Sequence, residues 1–350
     1  MNYPKFKSFK STVVLSLLCT TPVLASHTSG LGFMGGKRFA SPMNTESAIT
    51  APKGNLNVGT RFEYRKFQKL SAVKRESLKL ADTSADLHSV DSMMLPSFSL
   101  SYGLTDDLTL GVRVPLVFRY GMEDSHYHAD DNEVENMDLG DNSGVGDTLF
   151  FGQYRFFKDV ETNTHLSLLL GVSAPTGDAS RYVSSIGAGE HNNTRFETEL
   201  QPGSGAWSGL FGFALTKQIN SLSFDGSVMY TLSSEGAQGS DLGDSVGYNI
   251  SSAYRLSLTD LAGVFDQSAI DCILELNGQH QQREKQSGAQ VGNSGGNSLY
   301  LSPGLRFVSG SNRWNNWNVG TSFGYPIVDA SNGDQDDLGY RILGTVNLNF

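Results

Sequence analysis

The chain has 350 residues, 39 of them glycine and 10% of them aromatic, a composition suited to many short strands and turns. Its formal charge of −10 argues against nucleic acid as a partner. The mean hydropathy of −0.26 is that of a soluble protein, but it does not exclude a membrane β-barrel, where lipid-facing apolar residues alternate with lumen-facing polar ones.

Residues 1–25 read as a secretory signal peptide. Lys5, Lys7 and Lys10 form a basic start, Ser11 to Leu18 a short apolar run, and Thr21-Pro22-Val23-Leu24-Ala25 a small-residue cleavage site. Leu18 precedes Cys19 where a lipoprotein signal wants a small residue. Past Ala25 no stretch approaches the roughly 20 apolar residues of a spanning helix. Cleavage leaves Cys272 alone, so no internal disulfide is expected. It also removes three of 26 basic side chains, leaving 23 against 36 acidic ones, a balance of −13. An acidic outer rim can share divalent cations with lipopolysaccharide phosphates. Residues 26–54, with Gly30-Leu31-Gly32-Phe33-Met34-Gly35-Gly36, are too glycine-rich for a domain. Two placements fit them, a plug folded into a lumen or a periplasmic tail.

From residue 55 to 350 the apolar period is two. Leu108, Leu110, Val112, Val114, Leu116, Phe118 and Tyr120 occupy alternate positions, with Arg113 and Arg119 among the residues between them. Only a strand sends these two sets to opposite faces. The pattern recurs twelve times, from Leu56, Val58, Thr60, Phe62 and Tyr64 to Tyr340, Ile342, Val346, Leu348 and Phe350. The predicted fold is all-β, a transmembrane antiparallel β-barrel of twelve strands, an even number as bacterial single-chain barrels have. Thr105-Asp106-Asp107 and Gln218-Ile219-Asn220 are tight periplasmic turns, whereas 68–91, 121–145 and 177–203 are long and extracellular. Aromatic residues gather toward both ends of the strands as two girdles. The last strand, ending on Phe350, is similar to the signal by which barrel-assembly machinery recognises its clients. A soluble sandwich would bury its apolar face and leave edges to protect, so the expected location is the bacterial outer membrane.

Some segments carry a resemblance. Gly144-Val145-Gly146-Asp147-Thr148 runs into Phe150-Phe151-Gly152-Gln153-Tyr154-Arg155, followed by Ala174-Pro175-Thr176-Gly177 and Gly203-Ser204-Gly205-Ala206-Trp207. With Gly295-Gly296, Tyr300 and Ser302-Pro303-Gly304-Leu305, the chain resembles the outer-membrane transporter family associated with the phenol meta-cleavage degradation pathway. The resemblance spans most of 50–350 and implies barrel architecture and a transport role. It carries over no catalytic residue.

Strand parity yields the lumen-lining candidates Arg61, Glu63, Arg65, Arg113, Arg119, Arg155, Asp225, Arg255, Asp271, Glu275, Arg306 and Arg341. They fit a ladder of paired charges filling a narrow interior, and equally a pore lining that sorts solutes by charge. Leu95, Val117, Leu149, Phe151, Leu169 and Leu210 also face inward, either to guide apolar solutes or to pack against residues 26–54. In 121–145, His126 and His128 lie beside Asp130, Asp131, Glu133 and Glu135. That pattern is able to bind a metal, but a solvated acidic loop is the commoner reading, and no metal or other cofactor is assigned. No histidine falls in a nucleophile motif, so catalysis is not expected. The expected function is passive movement of small molecules, aromatic or otherwise apolar ones included. The alternative is a structural or surface-interaction barrel with a closed lumen, and a barrel-embedded hydrolase ranks third. The expected partners are outer-membrane lipid, lipopolysaccharide, the assembly machinery and a small-molecule solute.

Overall fold

The computed structural model describes residues 40–85, 87–258, 268–310 and 316–350. The expected leader and residues 26–39 lie outside the described residues.

Twelve antiparallel strands form the wall. In chain order they are β1 (Leu56–Gln68), β2 (Ser92–Met94, continued by Ser97–Thr105), β3 (Leu108–His128), β4 (Thr148–Asp159), β5 (Thr164–Ala174) and β6 (Ser208–Ile219). β7 (Leu222–Ser233), β8 (Ser245–Ser257), β9 (Ala269–Gln281), β10 (Gly296–Val308), β11 (Trp317–Ser331) and β12 (Asp337–Asn349) complete them. Each pairs with its chain neighbour, and β12 returns to β1 in register from Asn57↔Asn349 to Arg65↔Arg341. Closure removes the open edge, so the wall's backbone groups find partners without water. Pairing holds across the break in β2, where Glu63 and Leu95 exchange N–H···O=C bonds of 3.3 and 2.7 Å.

Parity is uniform around the barrel. Phe98, Phe150, Ile250 and Leu305 point outward at 57, 52, 66 and 55% exposure. A continuous apolar band of this kind suits hydrocarbon as its solvent. Cys272 lies on the same outer face and is free. Among the described residues no helix is long and apolar enough to cross a membrane.

The outer connections are more ordered than the sequence suggests. Residues 68–91 contain a helix, α1 (Ala72–Ala81), whose cap Ser71 accepts from the Lys74 N–H. The segment 121–145 is not an irregular loop. β3 runs on to His128, turns through Asn132 at φ 59°, and returns as Glu133–Val145. Met122, Met137 and Leu139 of this hairpin are buried with Val183, Ala188 and Phe196 of the 177–203 loop, and that apolar contact holds both over the barrel mouth.

Residues 40–51 run inside the barrel without regular secondary structure. All are buried except Ile49, which is half-buried.

Candidate functional site

The interior has three levels, and the lowest is occupied by the chain itself. The Glu275 carboxylate accepts from the backbone N–H groups of Met43, Asn44 and Thr45 and from Asn44 Nδ2, the last at 2.8 Å. Arg61 donates to the Met43 carbonyl (3.1 Å) and Asn44 Oδ1 (2.9 Å). Across the lumen, Thr216 Oγ1 accepts from the Ala48 N–H, Ser167 Oγ donates to the Ala48 carbonyl and Gln153 Nε2 to the Ser47 carbonyl. Thr109 accepts from the Ala51 N–H. An extended segment has no internal partners for its N–H and C=O groups, so the wall must supply them.

Most of the charged lumen candidates serve this level. Glu63 sits between Arg61 (3.0 Å) and Arg65 (2.7 Å). That carboxylate offsets the repulsion of Arg65 with Arg341, its direct cross-strand partner. Arg341 also donates to Asn277 and Ser302 and lies over the Tyr300 ring, 4.5 Å from its centroid. Asp271 is fully buried between Arg255 and Arg306. Asp225 accepts from the Thr216 and Ser223 hydroxyls. Arg155 is drawn away to the periplasmic turn, where it binds Asp107 and the Asp106 carbonyl.

Arg113 and Arg119 belong to the middle level. They line a cavity of about 150 Å³ with Pro115, Val117, Leu149 and Leu210. Leu149, Phe151, Leu169 and Leu210 pack around Ala48, so the inner segment underlies the cavity. Leu95 and Val117 join the upper apolar cluster with Met93 and Leu200. The inward apolar residues thus do both things open to them, packing against the inner segment and facing open space.

The upper level is a vestibule of about 840 Å³ among the outer loops, lined by Lys79, Asp82, Glu197 and Gln290 among others. Thr198, Glu199 and Glu284 border both vestibule and cavity. His88 bridges two loops there, its Nδ1 2.9 Å from Glu199 and its Nε2 3.6 Å from Glu197. The ligand atoms of these three residues lie within 4.8 Å of one another. In the β3 hairpin, His126 instead lies edge-on to His128 and tilted against His191, with ring centroids 5.1 and 4.8 Å away. Burial, then the two neighbouring imidazoles, lower its pKa. His128 reaches Glu135 at 3.1 Å, while Asp130, Asp131 and Glu133 are exposed.

Sequence parity marks Gln153 as inward but gives no sign that Gln153, Thr216 or Ser167 would meet residues 47–48. It also misses the junction on the cavity wall. Asp147 accepts from the Gly177 N–H (2.9 Å), the Ser204 N–H (2.8 Å) and Ser204 Oγ (2.6 Å). Three of the glycine-rich segments quoted above therefore converge on one carboxylate.

Residues 98–327 match the model of the family described as "Putative MetA-pathway of phenol degradation". The fold is similar to that of an outer-membrane channel from Pseudomonas putida F1, with a TM-score of 0.55 at 15% identity, over 88% of this chain and 100% of that one. A TodX mutant of Pseudomonas putida, a monoaromatic hydrocarbon channel, gives 0.45 at 10% identity over 92 and 99%. The translocator domain of the Neisseria meningitidis autotransporter NalP gives 0.44 at 10% over 86 and 89%. No curated protein matches the chain in sequence.

Proposed function

The chain belongs to this phenol-degradation family, and from that premise we propose that it is a bacterial outer-membrane channel for passive movement of small hydrophobic molecules. The observation that carries this reading is the succession of spaces inside a closed barrel, a vestibule of about 840 Å³ leading to a partly apolar cavity of about 150 Å³. An apolar band outside suits lipid, and a lumen with both charged and apolar walls suits a solute filter. A solved fold that it resembles, with a TM-score of 0.55, is that of an outer-membrane channel.

In this reading residues 40–51 are a gate at the periplasmic side, and Arg61, Glu63, Arg65, Asp225, Arg255, Asp271, Glu275, Arg306 and Arg341 are the lumen residues that hold it. The acidic outer loops fit contact with lipopolysaccharide through shared cations. The filling of the lower lumen also favours a second reading, a structural barrel that never opens.

Single-channel recording separates the two. The refolded chain without its leader is expected to be closed most of the time. A variant beginning at residue 55 is expected to give discrete open steps. Silence from both, with heat-modifiable migration showing folded barrels, overturns the channel reading in favour of the structural one.

A further inference from the structure

We propose that the middle cavity is a binding site for a single-ring-sized monoanion, with Arg119 holding its carboxylate or phenolate and Pro115, Val117, Leu149 and Leu210 holding its apolar body. This rests on the channel reading and names the solute class that the channel would select.

Size is the first argument. A cavity of about 150 Å³ is large enough for one aromatic ring, since an apolar protein cavity of roughly that volume takes up benzene. Arg119 supplies the charge. Its side chain is buried and stays charged at any physiological pH. One terminal nitrogen donates to the Leu200 and Gln201 carbonyls at 3.3 and 2.9 Å, which fixes the guanidinium plane. Its Nε has no hydrogen-bond partner. Among the described residues, Arg119 makes no ion pair. A buried cation without an ion pair, offset only at a distance by Glu199 and facing open space, is poised for an anion. Arg113, also buried on the same strand, adds a second positive charge to this wall.

Three acids, Asp147, Glu199 and Glu284, also line the cavity, and among the described residues none of them forms an ion pair with Arg119. Asp147 is engaged by three donors from Gly177 and Ser204. Glu199 is held by His88 Nδ1. Glu199 and Glu284 also border the vestibule, whereas Arg113 and Arg119 line only the cavity. The entrance is acidic, and the two arginines stand deeper, on the cavity wall alone. A neutral apolar molecule meets no complementary group at Arg119, and a small hydrophilic anion leaves the apolar wall unfilled. A ring bearing one anionic group satisfies both.

Calorimetric titration of the refolded full-length mature chain in detergent tests this with three probes, benzoate, benzamide and acetate. Benzoate is expected to bind at least about tenfold more tightly than either, as the loss of one charged hydrogen bond implies. Arg119→Met should bring benzoate down to the benzamide level, and Arg119→Lys should restore part of the difference. Arg119 also ties down the 177–203 loop, so Leu210→Trp provides an independent variant that fills the cavity and should abolish benzoate binding. Equal affinity for benzoate and benzamide in the unmodified chain, or unchanged benzoate binding in Leu210→Trp, overturns the proposal. Swelling of vesicles carrying the variant that begins at residue 55, with an uncharged solute, scores permeation separately. Permeation with no benzoate preference removes the anion site alone. Absence of permeation removes the channel reading beneath it.

Discussion

Arg75 illustrates how one side chain can hold an outer loop. It is the buried residue of α1, and it donates to the Leu70 carbonyl, to Ser125 and Ser89, and to the Glu123 carboxylate. Removing it leaves a partly buried acid short of a partner, and the 32% exposure of Glu123 tempers the cost. Arg75→Ala is expected to destabilise docking of residues 70–85 by about 2–3 kcal/mol. Hydrogen exchange would show faster exchange there and unchanged protection in the twelve strands. The pH dependence follows from two acids of opposite sign. Burial raises the pKa of Glu123, but Lys69 and Arg75 outweigh it and leave it below the ordinary value. Its stabilisation is therefore present above the ordinary carboxylate range and lost as pH falls through the lowered pKa. Burial raises Asp336 despite bonds from Ser89, Leu70 and Val90. Its contribution is present below the ordinary value and lost as pH rises through the raised one. Glu123→Gln should thus loosen the loop at pH 7, and its difference from the unmodified chain should shrink on acidification. A difference independent of pH would contradict this assignment.

At the scale of elements, the inner segment depends on the wall for its backbone hydrogen bonds. Glu275→Ala removes the acceptor for Met43, Asn44 and Thr45, and a buried donor left unmatched costs about 1–3 kcal/mol. The expected outcome is channel opening in a chain that keeps residues 40–51, seen as current steps absent without the substitution. A variant as quiet as the parent would mean that Glu275 does not hold the gate. A second element-scale prediction concerns the Asp147 junction. A Cβ on Gly177 would sit 2.7 Å from the Gly203 Cα and 2.8 Å from Asp147 Oδ1. Gly177→Ala should cost about 1–3 kcal/mol by overpacking, measured as a lower urea midpoint for unfolding from detergent. These two sites also mark what the sequence does and does not reveal. The wall was legible because lipid and lumen impose a strict alternation, so Leu108 to Tyr120 on one face and Arg113 and Arg119 on the other follow from parity alone. The extension of β3 was hidden because bulges between Arg119, Met122 and Glu123 break that alternation where the strand continues. α1 was hidden because Ser71 has lysine rather than an acid three residues on, and its first turn holds no acid. The bond between Glu275 and Asn44 joins residues 231 apart in sequence, a contact that barrel closure creates and no local pattern encodes.

At the scale of the whole molecule, the barrel reverses the usual relation of surface to core. Charges such as Asp271, Arg306 and Glu63 are inside, and the exposed face is aliphatic and aromatic. This inversion is stable only if the outer solvent is hydrocarbon, which makes the fold's dependence on lipid measurable. Ile250 stands near the middle of β8, outward, opposite Leu276 of β9 and Gly226 of β7. Tyr340 also points outward but lies near the extracellular end of β12. In a bilayer, Ile250→Arg should cost about 2–4 kcal/mol, whereas Tyr340→Arg near the interface should cost roughly 0–1 kcal/mol for the charge itself. On the surface of a protein in water, both changes would fall within about 0.5 kcal/mol. Urea titration of refolding into phospholipid vesicles measures the difference directly. A penalty that is large at Ile250 and small at Tyr340 fits a spanning wall, because the cost follows depth. Equal and small penalties would mean that the apolar band does not face lipid, and the channel reading would fall with it.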